Sequence, residues 1–77
     1  MKEGPDIAAI GALIGDPARA NMLTALMSGK ALTSGELAAE AGVSAQTASS
    51  HLRKLREAGL LQLIQQGRHR YYSGCYF

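Results

Sequence analysis

The sequence lacks most of the features that mark secreted, membrane and disulfide-stabilised proteins. Its 77 residues include a single cysteine, Cys75, so no internal disulfide can form. No run approaches the roughly 18 uninterrupted apolar residues of a membrane-spanning helix. The first residues, MKEGPD, are acidic and lead into no long apolar core, so we expect no signal peptide. These absences favour the cytoplasm as the compartment.

Signs of catalysis and of metal binding are also missing. The sequence offers no nucleophile–base–acid set, no GxxxxGK[ST] phosphate loop and no plausible pair of catalytic carboxylates. The three soft-ligand candidates, His51, His69 and Cys75, share no close metal-binding spacing. We therefore expect neither an enzyme nor a protein with a metal or other cofactor.

The length is sufficient for one domain. We predict a single domain over residues 1–77, with a flexible N-terminus at 1–5 and a tail at 74–77. A chain of this size buries only about 60% of the surface that its unfolded form exposes, and such chains often gain stability by oligomerisation.

Charge is distributed unevenly along the chain. Residues 1–43 carry a net charge of −2 and residues 44–77 a net charge of +4, within a total of +2. A basic C-terminal half indicates a face that meets a polyanion, although an ordinary solvated surface would show the same composition.

Apolar spacing predicts two helices in the first third of the chain. Ile7, Ile10 and Ile14 recur at helical spacing, which indicates a helix over residues 6–15 with Asp6 as its N-cap. Asp16 followed by Pro17 is typical of a second helix start, and Gly29 ends this helix. Its apolar stripe is expected to contain Met22, Leu23, Leu26 and Met27.

Residues 33–61, TSGELAAEAGVSAQTASSHLRKLREAGLL, carry the strongest signal. Thr33 and Glu36 form a capping box for a third helix that runs to about Ala41 and buries Leu37, Ala38 and Ala41. Gly42 provides the left-handed residue of a tight turn, Val43 fills the core, and Ser44 caps the next helix. Two helices joined by such a turn are typical of a helix-turn-helix DNA-binding unit.

The fourth helix is expected over residues 44–58, ending at Gly59. One face is predicted to be buried and consists of Ala45, Ala48, Leu52 and Leu55. The opposite face is polar and consists of Gln46, Ser49, Ser50, Arg53, Lys54 and Arg56.

After Gly59 the apolar pattern changes to that of a β-hairpin. We predict strands over 60–65 and 68–73, with Gln66 and Gly67 in the turn. A hairpin that follows a recognition helix is the wing, residues 60–73, of a winged helix. The fold class is therefore mainly α with a small β-hairpin, a winged helix-turn-helix.

Three segments, GDPARANMLTAL, ELAAEAGVSAQTASSHLRKLREAGLL and QQGRHRYYS, together resemble the arsenical-resistance-repressor (ArsR/SmtB) family. The resemblance implies a DNA-binding transcriptional regulator, in particular a repressor, that acts as a homodimer. Many metal-sensing members carry Cys-x-Cys where this chain has Thr33 and Gly35, so we expect that metal site to be absent. The family usually continues past the wing into a helix that completes the dimer interface, and residues 73–77 do not resemble its start. We therefore expect a weak dimer.

Side-chain chemistry indicates which residues contact double-stranded DNA. Gln46 can hydrogen-bond to an adenine edge, hydroxyl groups and cations suit bases and phosphates, and arginines at a hairpin tip reach the backbone or the minor groove. The predicted DNA-binding residues are Ser44, Gln46, Thr47, Ser49, Ser50, Arg53, Lys54, Arg68 and Arg70. We interpret His51 as a packing residue.

Two alternatives remain open from the sequence. Arg68 and Arg70, expected on one face of a strand, would also suit a charged edge that prevents strand pairing. The alternative function for the whole fold is a winged-helix protein–protein interaction module that has no specific DNA binding. The serine-rich basic face of the fourth helix favours DNA, because a protein-binding face is usually rich in aromatic or large apolar anchors.

Overall fold

The structure, a computed structural model, describes residues 7–75. Four helices precede one antiparallel hairpin, in the order α1 (Ile7–Ile14), α2 (Pro17–Leu26), α3 (Ser34–Ala41), α4 (Ala45–Glu57), β1 (Leu61–Gln66) and β2 (His69–Gly74). This architecture confirms the predicted winged helix-turn-helix. The predicted cap Asp6, the flexible residues 1–5 and the last two tail residues lie outside the described part of the chain. None of the described helices is long and apolar enough to cross a membrane.

One apolar core joins α2, α3, α4 and the start of the hairpin. Helix α3 packs against both α2 and α4, while α1 packs against α2. The buried side chains of this core are Met22, Leu26, Leu37, Ala38, Ala48, Leu52, Leu55 and Leu61. Because α4 provides three of these side chains, its orientation is set by the core.

Helix α2 begins as its sequence predicts. The Asp16 carboxylate accepts hydrogen bonds from the backbone N–H groups of Ala18 at 2.8 Å and Arg19 at 3.4 Å. Pro17 occupies the first turn, where its missing N–H has no intrahelical role. The Ala18 hydrogen bond, with help from that of Arg19 and from its charge, outweighs partial burial and lowers the pKa of Asp16 below its ordinary value of 3.8.

The turn between α3 and α4 also forms as expected. Thr33 N–H donates to Glu36 Oε1 at 2.9 Å and Glu36 N–H donates to Thr33 Oγ1 at 3.1 Å, which completes the capping box. Gly42 has φ +68°, in the left-handed region, and Val43 N–H donates to Ala38 O at 3.0 Å. These contacts redirect the chain over the three residues between α3 and α4.

Five side chains predicted to be buried are more exposed, and three of them, Leu23, Ala41 and Val43, are half-buried against the core. Ala45 is exposed because it is the first residue of α4 and lies about 60° around the helix from Ala48. Met27 is 69% exposed because α2 ends at Leu26, so Met27 lies beyond the helical stripe as its C-cap.

The hairpin is shifted by one residue from the predicted strands. Gln66 pairs with His69, so the turn residues are Gly67 and Arg68, and β2 extends through Gly74 into the predicted tail. A turn at Gln66–Gly67 of the type common in two-residue hairpins would require a positive φ at Gln66. The observed turn has a positive φ, +60°, at Gly67 and at no non-glycine residue, which avoids that strain.

An additional backbone bridge anchors the hairpin and was not predicted. Leu32, which precedes α3, exchanges two hydrogen bonds with Tyr72 of β2, at 2.9 Å and 2.7 Å. Leu32 and Tyr72 also pack against the core. The wing is therefore attached to the helical part by backbone pairing as well as by apolar contact.

We predict that Asp16→Asn lowers stability at neutral pH but not in strong acid. Asn keeps an acceptor oxygen and loses the charge. Because the folded pKa of Asp16 is lowered below 3.8, the stability contributed by ionisation is present above 3.8 and is lost as pH falls through the folded value. Urea-unfolding midpoints over a pH series should converge in acid. Exposed Glu40→Gln is the control, and a difference that stays constant with pH would contradict the prediction.

Candidate nucleic-acid interface

Helix α4 presents opposite faces to the core and to solvent. Ala48, Leu52 and Leu55 have no exposed surface. The predicted contact residues on the other side, Gln46, Ser49 and Arg53, are exposed, while Ser50 is half-buried. Gln46, Ser49, Ser50 and Arg53 line one shallow depression on the outer surface. The structure thus brings four of the predicted DNA-binding side chains together on one surface.

The first turn of α4 uses two of the predicted contact hydroxyls internally. Ser44 Oγ accepts a hydrogen bond from Thr47 N–H at 3.1 Å and donates one to Thr47 Oγ1 at 3.0 Å. Ser44 is therefore first an N-cap. Thr47 Oγ1 accepts in this pair, so its own O–H proton can be donated to another acceptor such as a phosphate oxygen.

Positive charge is concentrated in the second half of α4. Arg53, Lys54 and Arg56 are exposed, with Glu57 beside them. Cations in the last turn of a helix also interact favourably with its dipole, so part of this pattern is explained by helix stability. The two explanations are compatible, because an exposed cation can stabilise the helix end and still neutralise a phosphate.

The hairpin separates the two arginines that were predicted to share a strand face. Arg68 lies in the turn, whereas Arg70 is in β2 opposite Gln65. Alternation along β2 places Arg70 on the same face as Tyr72, which packs on the core, while His69 and Tyr71 share the outer face. The prediction of one common face was wrong because the register is shifted by one residue. Both arginines remain exposed at the end of the wing.

His51 makes a contact that the sequence analysis missed. Its Nδ1 lies 3.1 Å from a guanidinium nitrogen of Arg19 in α2. Arg19 also donates through Nε to Leu13 O at 2.6 Å and through Nη2 to Ala12 O at 3.4 Å. His51 is half-buried, so it packs between helices and also hydrogen-bonds with Arg19. The sequence signal for this contact is a single arginine, Arg19, in the first turn of α2, where the neighbouring side chains are small or apolar.

Among residues 7–75, no group of three or more His, Cys, Asp or Glu side chains is arranged to hold a metal ion. Cys75 is a half-buried free thiol near the end of the hairpin.

Comparison with known proteins agrees with this geometry. Residues 14–64 match the family described as "Helix-turn-helix domain". The chain is 50% identical over 68 residues to the uncharacterized HTH-type transcriptional regulator YdfF of Bacillus subtilis (strain 168), a match that covers 88% of this chain and 30% of that protein. The chain therefore spans less than a third of the length of that relative.

Two solved structures extend the comparison. The cadmium metal-sensor CMTR from Mycobacterium tuberculosis is 35% identical, with a TM-score of 0.73, over 90% of this chain and 70% of that one. The homodimeric winged helix-turn-helix DNA-binding domain Mb0332 from Mycobacterium bovis is 25% identical, with a TM-score of 0.76, over 88% of this chain and 62% of that one. This chain belongs to the helix-turn-helix domain family and is an ArsR/SmtB-like winged helix-turn-helix. The resemblance seen in the sequence is thereby confirmed.

Within this family fold, α3 and α4 are the helix-turn-helix pair and the hairpin is the wing. The fold is that of transcriptional regulators. The predicted DNA-binding residues lie on the outward face of α4, at its N-terminus and on the wing.

We predict that Gly67→Ala destabilises the wing, because Gly67 has φ +60° and an alanine there adopts the left-handed conformation at a penalty of about 1–2 kcal/mol. Gly35→Ala is the matched control. Gly35 is exposed on α3, where an added Cβ meets only Thr33 Oγ1 at 3.9 Å, so alanine should stabilise by roughly 0.5–1 kcal/mol. Urea unfolding measures both. Equal stability of the two variants would show that the turn is not constrained as described.

Proposed function

We propose that this chain is a sequence-specific DNA-binding domain of a transcriptional repressor, which reads the major groove with α4 and contacts the backbone or the minor groove with the wing. The observation that carries the proposal is the polar outward face of α4, with Gln46, Ser49, Ser50 and Arg53, directly opposite a fully buried apolar face. A helix held in this way offers short polar side chains to base edges while its backbone approaches the groove. Because DNA is the proposed ligand, the cytoplasm is the proposed compartment.

The distribution of exposed apolar surface favours DNA over a protein partner at α4. Among the described residues, the large apolar side chains that are clearly exposed are Ile14 and Met27, and neither is on α4. Protein-binding hot spots are typically rich in buried aromatic and arginine anchors. The α4 face has no aromatic residue and is rich in serine, which is uncommon at such hot spots, and this composition supports a duplex as its ligand.

The direct test is selection of duplexes from a randomised pool, followed by competition against random DNA. We expect one enriched sequence, which the protein binds about 10³-fold or more tightly than random DNA at the same salt concentration. Binding that is equally strong for every sequence, or absent at low salt, would contradict the proposal and favour the protein-interaction alternative.

Gln46→Ala should weaken binding to the selected duplex by about 1–3 kcal/mol and leave binding to random DNA nearly unchanged, because it removes a base contact. Asn21→Ala, which removes an exposed amide from α2, is the matched control and should have little effect on either duplex. The same loss on both DNAs would show that Gln46 does not read sequence.

Replacing Arg68 and Arg70 together with alanine should weaken binding to all sequences alike. If each side chain neutralises one phosphate, the slope of log affinity against log salt falls by up to about two units. Lys30→Ala, an exposed cation before α3, serves as the charge control. An unchanged slope in the double variant would assign these arginines to protection of the sheet edge.

We further propose that the protein acts as a homodimer and that α1 contributes to the interface. Its sequence, IAAIGALI, contains no polar side chain, and Ile14 is 44% exposed. Palindromic sites are read by two-fold dimers whose recognition helices lie about one helical turn of DNA apart, so two copies would supply the required pair. The small area of an eight-residue helix supports a weak dimer in rapid exchange with monomer.

Sedimentation over a concentration series should therefore show a monomer–dimer equilibrium, which Ile14→Lys shifts toward monomer. Met27→Lys is the matched control. Met27 is more exposed than Ile14, 69% against 44%, yet lies at the end of α2, so it should leave the equilibrium unchanged. A larger effect of Met27→Lys would move the interface away from α1.

A further inference from the structure

We propose that Arg19 is a positioning residue for DNA binding, which acts through His51 to hold the recognition helix α4 at a fixed place against α1. The proposal rests on the proposed DNA-binding function. Neither side chain was among the predicted contact residues, and neither is on the outward face of α4.

The Arg19 guanidinium joins three helices. From the first turn of α2 it donates to Leu13 O at 2.6 Å and to Ala12 O at 3.4 Å, both in the last turn of α1. Those carbonyls have no partner within their own helix, because the last four C=O groups of any helix lack one. The third contact, 3.1 Å to His51 Nδ1, reaches α4. One planar cation therefore caps α1 and ties it to the recognition helix.

The chemistry of the two groups fixes the direction of the hydrogen bond. A guanidinium can only donate, so Nδ1 of His51 must accept and the imidazole carries its proton on Nε2. The fork of Arg19 directs its donors to two α1 carbonyls and to His51 together, which a lysine, with its single compact ammonium, cannot reproduce in the same geometry. The contact thus requires an arginine at position 19 and a hydrogen-bond acceptor at position 51.

The position of His51 on α4 allows its hydrogen bond to influence where the DNA-binding face lies. His51 lies one turn from both Thr47 and Lys54 along α4. An open groove of about 490 Å³ separates α1 from the second half of α4, with Arg19 and Lys54 in its wall. Loss of the Arg19–His51 bond would leave the core contacts of α4 in place but allow small rotations and shifts. Displacements of that size spoil base contacts more than contacts with the flexible, uniform phosphate backbone.

Variants of His51 test the Arg19–His51 hydrogen bond without replacing the charged arginine. His51→Gln keeps an acceptor oxygen, whereas His51→Leu removes it. On the selected duplex we expect His51→Leu and Arg19→Met each to weaken binding by about 3- to 30-fold, and their combination to be no worse than either alone. His51→Gln should bind like the wild type. Affinity for random DNA should change by less than about twofold in every variant.

Two further readouts separate positioning from direct contact and from general stability. The salt slope of Arg19→Met should equal that of the wild type, because Arg19 neutralises no phosphate in this account. Nitrogen NMR of the free protein should show His51 protonated on Nε2 in the wild type, and a mixture of tautomers in Arg19→Met. Circular dichroism confirms that each variant is folded before its affinity is compared. If Arg19→Met does not fold, the His51→Gln and His51→Leu pair still decides the proposal.

Several results would overturn the proposal. Equal affinity of His51→Leu and His51→Gln, a salt slope lower by about one unit in Arg19→Met, or a proton on His51 Nδ1 in the wild type would each do so. A wild-type chain that prefers no duplex over random DNA would remove the proposed function and the positioning role together. A wild-type preference that all variants retain would remove the positioning role alone.

Discussion

The burial of one face of α4 is the constraint on which the rest of the structure depends. Ala48, Leu52 and Leu55 have no exposed surface, and they determine which face of the helix points to solvent. A rotation large enough to turn Gln46 inward would expose leucine side chains, each worth about 1.5–3 kcal/mol when fully buried. The polar face is therefore presented to solvent by the same interactions that hold the domain together, without any ligand being present.

The other elements serve to hold that helix in place. The capping box at Thr33 and Glu36 starts α3, which packs between α2 and α4. The left-handed residue Gly42 sets the turn that aims α4, and the Leu32–Tyr72 bridge attaches the hairpin beside it. The two proposed DNA-contacting surfaces, the outward face of α4 and the wing, are thus attached to the same apolar core.

Local chemistry explains why much of this architecture could be predicted from the sequence. Caps such as Asp16, Thr33 and Ser44 act on backbone groups two or three residues away, so their signals lie within a few letters of sequence. The predicted hairpin register was wrong by one residue because a single glycine can occupy either of the two central turn positions. Only the strain of a positive φ at Gln66 distinguishes the two choices.

Contacts between distant residues could not be predicted in the same way. Arg19 and His51 are 32 residues apart, and their hydrogen bond depends on how α1, α2 and α4 pack together. The pairing of Leu32 with Tyr72 depends likewise on the tertiary arrangement. The exposure of Ala45 and Met27 also follows from where helices begin and end relative to the core. The structure brings four of the predicted DNA-contacting residues together on one surface of α4. Their contact with bases stays a prediction.

The claim that α4 reads the major groove can be tested most directly by 7-deazapurine interference on the duplex obtained by selection. The N7 atoms of adenine and guanine are acceptors in the major groove, so replacing them with carbon weakens a helix that reads purine edges and leaves minor-groove and backbone contacts intact. We expect strong interference at purines within each half-site, centred about one helical turn apart in a two-fold complex. Binding that tolerates the replacement at every purine in the selected sequence would contradict major-groove reading by α4.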